Sequence, residues 1–174
     1  MFTLQTRYLS FFFGLISVLS FFNIIYSYYL NLYLNLDTYY FSLIISFLLS
    51  IIFYKIKVNE NKQTIFDKIL TVFFGYLLIP LVLSIPFYLS IYNLTFLNSY
   101  FESISGFTST GFTIFENIKH VDQSLILWRS STQWIGGLYF LFSIIFLIDI
   151  YDDNFKKSLT NFISFNSSEI FKQA

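Results

Sequence analysis

Phe101-Glu102-Ser103-Ile104-Ser105-Gly106-Phe107-Thr108-Ser109-Thr110-Gly111-Phe112-Thr113 is the stretch whose reading decides the fold. It lies between two long apolar runs, yet it is too polar and too short to cross a bilayer itself. Irregular backbone at membrane depth survives only where protein buries it or where it lines a wet cavity. A hydroxyl-rich loop ending in glycine between two spanning helices therefore points to an ion path. That reading stands only if the flanking runs span a membrane.

Uncharged windows cover 8–36, 38–54, 69–101 and 130–148, and a helix needs about 20 apolar residues to cross a hydrocarbon core. Four spans follow. With 56% hydrophobic and 11% charged residues, the chain is far from the roughly 25% charged composition of a soluble domain. The expected fold class is all-α integral membrane, with about four transmembrane helices and one helix–pore loop–helix repeat. A net charge of +0 gives no argument for a nucleic-acid partner, and the absence of cysteine removes disulfides and thiolate metal sites. The first window is longer than the apolar core of a signal peptide and has no A-x-A site, Ala174 being the only alanine. It reads as a retained helix.

Lysine and arginine cluster at Arg7, at Lys55, Lys57, Lys62 and Lys68, and at Lys156, Lys157 and Lys172. The positive-inside rule puts these in the cytoplasm. The alternate loops, 31–37 and 93–122, contain Lys119 alone, with Arg129 at the flank of the last span. Both termini are therefore expected inside, in the cell (inner) membrane. The segments divide as 1–58, a leading helix pair; 59–68, a cytoplasmic connector; 69–150, the repeat; and 151–174, a second connector that contains an amphipathic stretch over 154–165 and a helix opening at Ser167-Ser168-Glu169.

Pro80 and Pro86 fall in the third span and predict a kink whose freed carbonyls neighbouring groups must satisfy. Ser99-Tyr100-Phe101-Glu102 has the form of a capping box, which starts a two-turn helix at about Tyr100 and leaves Gly106 to end it. Asp122 is the expected N-cap of the fourth spanning helix, running from about Gln123 to Ile150. On that helix Arg129, Gln133 and Gly136/Gly137 share one face by their spacing, a polar, small-residue seam for helix packing. Arg129 has two readings: a charge that snorkels or pairs locally near the helix end, or a strut that hydrogen-bonds the pore loop together with Glu102. His120 reads as a surface histidine.

A monovalent cation crossing a membrane exchanges hydration oxygens for protein oxygens, and backbone carbonyls with threonine or serine hydroxyls supply these without a trapping charge. Thr108, Ser109 and Thr110 fit that need, and Gly111 can adopt dihedrals closed to other residues, turning its carbonyl toward an axis. The C-terminal end of the preceding short helix adds partial negative charge. The same composition also describes a plain outer loop, because serine, threonine and glycine make turns.

The stretch 101–113, followed by Leu127-Trp128-Arg129-Ser130-Ser131-Thr132-Gln133-Trp134-Ile135-Gly136-Gly137, resembles the first pore repeat of the Trk/Ktr/HKT potassium transporters. The resemblance covers about residues 1–150, as the two extra leading helices of the Trk branch plus one repeat. It implies a filter over Thr108, Ser109, Thr110 and Gly111, with Ser109 and Thr110 at the positions that contribute potassium ligands. Glu102, Phe112, Thr113 and Arg129 stand in supporting positions. Ser109 replaces a common threonine, and Phe112 replaces a smaller residue just past the glycine. K+ is the implied transported ion, with no covalent cofactor.

The implied partners are the lipid bilayer, three further pore repeats, a cytoplasmic nucleotide-binding regulatory subunit, and a homo-oligomer as the other way to complete a ring. The open helix start near Ala174 is read as a truncation. The alternative function is a non-conducting fragment or accessory membrane protein that keeps the repeat fold. A membrane enzyme lacks support: there is no H-E-x-x-H or G-x-S-x-G, and Asp149, Asp152 and Asp153 read as a solvated helix end.

Overall fold

The computed structural model describes residues 5–56 and 65–148. The expectations placed on Lys57 and Lys62, on Asp149, Asp152 and Asp153, on the stretch 154–165 and on the helix opening at Ser167 lie outside the described residues. The chain is an all-α, multi-pass membrane protein whose elements run α1 (Thr6–Tyr29), α2 (Leu36–Lys55), α3 (Ile65–Leu83), α4 (Ile85–Tyr88), α5 (Phe96–Phe107), a short 3-10 turn (Ile118–His120) and α6 (Gln123–Ile148). Four stretches, Thr6–Tyr29, Leu36–Lys55, Phe66–Tyr88 and Gln123–Leu147, are long and apolar enough to cross a membrane.

α1 and α2 form an antiparallel hairpin, turned by Asn31 in the left-handed region at φ 56°. Both helices are apolar nearly all round, so hydrophobic patterning cannot choose their contact face; small hydroxyl residues do. Ser10 and Ser50 each donate to the other's backbone carbonyl, at 2.8 and 2.9 Å, and Ser20 donates to Ser42 at 3.2 Å. The opposite faces present Phe21, Phe22, Phe41 and Phe47 outward, away from the rest of the described chain.

The third span is interrupted once, at Ser84, between its two prolines. Pro80 stays inside α3, but the helix stops at Leu83, and Pro86 lies in the first turn of α4, where a missing N–H costs nothing. Side chains from the rest of the repeat take the carbonyls near the break: Tyr100 donates to Leu77 O at 3.1 Å, Ser103 to Pro80 O at 2.7 Å, and the Trp128 indole to Leu83 O at 3.0 Å. The carbonyls around this break thus become the points at which α5 and α6 attach.

The uncharged window 69–101 is not one element. Its span ends at Tyr88, the chain turns through Asn93 at φ 48°, and α5 begins at Phe96. The core lies where α1, α3 and α6 meet around the fully buried Phe12, Tyr139, Phe107 and Trp128. Tyr139 packs edge-on to Phe12 and Tyr76, and its hydroxyl donates to Val72 O at 2.9 Å.

Candidate ion-path loop

α5 is capped one turn earlier than the Ser99-x-x-Glu102 pattern suggested. Thr95 is the N-cap and accepts from Asn98 N at 3.3 Å, while Ser99 sits inside the helix and bonds back to Thr95 O. Glu102 is therefore free of a capping role. Gly106 does not end the helix either: α5 runs to Phe107, and the left-handed residue that stops it is Ser109, at φ 56°. Thr110 N reaches Ser105 O at 3.1 Å and Ser109 N reaches Gly106 O at 2.9 Å, the paired bonds of a Schellman ending. Gly106 is small for another reason, since a Cβ there would lie 2.1 Å from Thr132 Oγ1.

The position of this helix end sets the depth of the loop. A Cβ on Gly136, at the middle of α6, would lie 1.7 Å from the carbonyl oxygen of Phe107, so the last residue of α5 rests directly on the α6 backbone. Phe107 also meets Tyr76, well inside α3, at a ring distance of 5.6 Å. The loop that follows is thus at mid-span, and the chain climbs back through 114–121 to the start of α6. The chain thus enters the helix bundle and leaves it at the same end.

A buried ion pair holds the climbing limb. Glu102 is fully buried, and Arg129 Nε lies 2.5 Å from its Oε1. The same carboxylate accepts from Thr113 Oγ1, at 3.0 and 3.1 Å, and from Ile114 N at 3.1 Å. Arg129 Nη2 then donates to Gly111 O at 3.2 Å and to Phe112 O at 3.3 Å. Arg129 does not snorkel; one guanidinium ties α5, α6 and the returning loop together. Three donors, the Thr113 hydroxyl shared between both oxygens, Ile114 N and Arg129 Nε, satisfy a charge that would be prohibitive alone in this environment.

This arrangement sorts the loop's oxygens. The Gly111 and Phe112 carbonyls are turned onto Arg129, and Phe112 O also accepts from Ser105 Oγ at 2.6 Å. The Thr108 and Thr110 hydroxyls fold back on the helix end, to Ile104 O at 2.8 Å and Ser105 O at 3.2 Å. Among the described residues the carbonyls of Thr108, Ser109 and Thr110 accept no hydrogen bond, and all three residues are exposed. Gly111 takes φ 80° with nothing near its Cβ position, and Phe112 stands 70% exposed beside it.

The seam expected on α6 divides. Gly136 faces inward, with Trp128, Thr132, Ile135 and Tyr139 buried on the same side. Gly137 would have nothing within 4 Å of an added methyl group and, with Gln133, Ser130 and Trp134, lines an open cavity on the outer face instead. The drift of a 3.6-residue helix separates positions that spacing alone had grouped. Asp122 immediately precedes α6, where its carbonyl accepts from Leu125 N and Ile126 N; its carboxylate takes Ser124 Oγ at 2.5 Å and Asn35 Nδ2 at 3.1 Å. His120 is exposed. Ser105 had no role assigned from sequence, yet its backbone and hydroxyl together bind Thr110, Gly111 and Phe112; its place five residues before Thr110 was the available signal.

Parts of the chain are similar to known transporters. An uncharacterized cation transporter of Methanocaldococcus jannaschii is 38% identical over 64 residues, which cover 37% of this chain and 14% of that protein. The Trk system potassium uptake protein TrkI of Halomonas elongata is 42% identical over 60 residues, covering 34% and 11%. TrkG of Escherichia coli is 39% identical over 46 residues, covering 26% and 10%. The matched segments thus span only about a tenth to a seventh of the relatives' lengths. No family model matches, and no solved structure matches.

Proposed function

We propose that the chain serves potassium transport across a membrane, as the first pore repeat of a Trk-type potassium uptake protein. One observation carries the reading: a polar loop at mid-span whose N–H groups are bonded inward and whose carbonyls at Thr108, Ser109 and Thr110 are left without donors. Such oxygens can replace the hydration shell of a monovalent cation. Gly111 supplies the backbone turn after them, and Glu102, Thr113 and Arg129 keep the returning limb, with Phe112, from collapsing onto them. The relatives' potassium uptake activity supports the ion's identity.

In this reading the membrane is the cell membrane and both termini are cytoplasmic. One loop offers ligands from one side only, so the ring needs three more loops, from further repeats or from a homo-oligomer. A cytoplasmic nucleotide-binding subunit is the proposed regulator. The test is rubidium uptake in cells lacking their own potassium transporters, using the protein that contains this repeat. Gly111→Ala strains a φ of 80° by about 1–2 kcal/mol without meeting any neighbour, so it should lower uptake or potassium-over-sodium selectivity at normal expression. Gly106→Ala should instead lower the amount of folded protein, because Thr132 occupies the space. Unchanged uptake and selectivity in Gly111→Ala would remove the filter assignment. The 174 residues alone should give no uptake.

A further inference from the structure

The one pair of buried side chains that the ion-path reading leaves unexplained is Asn23 and Ser27, one turn apart on α1. Asn23 is 1% exposed and Ser27 is 0% exposed. Both carboxamide atoms of Asn23 and the hydroxyl of Ser27 lack a hydrogen-bond partner, the only such buried side-chain atoms among the described residues. In a protein within lipid, a carboxamide left this way is costly, and native structures rarely tolerate it. A leucine at either place would fit the apolar pattern of α1, so the polar pair calls for a ligand.

Burial and chemistry narrow what that ligand is. Neither another helix nor a lipid headgroup can reach side chains already enclosed by this chain. A cation would be served by Asn23 Oδ1 and Ser27 Oγ, but those are two neutral oxygens where a bare ion needs several, and the carboxamide N–H groups would oppose it. Asn23 Nδ2 requires an acceptor while Asn23 Oδ1 requires a donor. Water is the small molecule that is both, and buried waters typically make about three hydrogen bonds to groups of this kind.

The register of the hairpin shows what surrounds such a water. The Ser10–Ser50 and Ser20–Ser42 bonds set α1 and α2 antiparallel so that Asn23 and Ser27 lie level with the first turn of α2. That turn is the polar joint by which the hairpin holds the repeat: Asn35 Nδ2 donates to Asp122, Ile91 N donates to Asn35 Oδ1 at 3.2 Å, and Tyr39 OH meets Ser124 Oγ at 2.9 Å. We propose that Asn23 and Ser27 bind a buried water between α1 and α2, behind this joint near the outer end of the hairpin. The water completes the hydrogen bonding of the hairpin where it docks on the pore repeat, and it does so whatever ion the repeat carries.

The test is nuclear magnetic resonance of the full 174-residue chain in phospholipid nanodiscs, deuterated and labelled with 15N-asparagine, with magnetisation transferred selectively from water. The expected result is a cross-peak from the Asn23 side-chain NH2 to a long-lived water. It should vanish in Asn23→Leu, which also assigns it, and fall at least twofold in Ser27→Ala, which removes one of the water's anchors. Asn23→Ser provides the assignment if the leucine variant does not fold. A protected Asn23 NH2 with no water cross-peak, or one bonded through its own helix to the Leu19 carbonyl, would overturn the proposal.

Discussion

Glu102→Gln removes one charge from the pair that ties the loop to α6 while keeping the side chain's size. Taking one partner from a buried ion pair costs about 3–5 kcal/mol, because the other charge is stranded. Arg129 keeps 16% of its side chain exposed and can recruit water, while Glu102 keeps none, so the lower end applies, about 3 kcal/mol. In a chain of this size each kcal/mol lowers Tm by roughly 2–4 °C, giving a loss of roughly 6–12 °C. Trp128, fully buried beside Arg129, reports the transition; the background is Trp134→Phe, since Trp134 is 70% exposed. Glu116→Gln, at an exposed carboxylate in the same segment between α5 and α6, is the control and should shift Tm by no more than about 2 °C. Arg129→Leu combined with Glu102→Gln should cost less than the sum of the single changes, since no stranded charge remains. A Glu102→Gln shift equal to that of Glu116→Gln would refute the brace.

The two adjacent glycines of α6 should behave oppositely. Gly136→Ala forces apart the α5 and α6 backbones at Phe107 and should abolish a monodisperse elution peak in detergent, whereas Gly137→Ala should be neutral or stabilise by up to about 1 kcal/mol through helix propensity. At Ser109, glycine should raise Tm by relieving a left-handed residue worth about 1–2 kcal/mol, and valine should lower it, both read by circular dichroism melts. Single cysteines at Lys62 and Lys119 test the topology: the second should react with an impermeant maleimide from outside and the first only after permeabilisation, so equal outside labelling of both would sink the assignment of sides.

The four spans and their order were legible because length and lack of charge are enough to specify a transmembrane helix. What patterning could not give was the facing of each helix. α1 and α2 are apolar all round, and only the hydroxyl pairs at Ser10–Ser50 and Ser20–Ser42 reveal which sides meet. The end signals of α5 misled for a related reason. Ser99-x-x-Glu102 is a capping pattern that occurs by chance when serine is frequent, and Thr95 one turn earlier competes for the role with a better approach from a β-region backbone. Gly106 looked like a helix stop because glycine is the usual left-handed residue, whereas here its missing Cβ admits Thr132 and a serine bears the left-handed turn. Arg129 was readable as a loop strut only by supposing that its partner was Glu102, a separation in sequence that no local pattern measures.

The way α5 ends also decides which sign of charge the loop can receive. Had the turn after the helix exposed successive N–H groups, it would have formed a concave nest suited to anions. Instead the N–H groups of Thr108, Ser109, Thr110 and Gly111 all point back to the carbonyls of Ile104, Gly106 and Ser105. The Gly111 and Phe112 carbonyls are then consumed by Arg129 and Ser105, on the side of the loop nearest α6. What remains outward is the run of unpaired carbonyls at Thr108, Ser109 and Thr110, at the negative end of the α5 dipole. The positive guanidinium does not cancel this, because Glu102 neutralises it at 2.5 Å. Removing Glu102 would therefore do more than loosen the fold: it would leave an uncompensated cation behind the carbonyls, so any residual ion passage in Glu102→Gln should be weakened for cations beyond what the loss of folded protein explains.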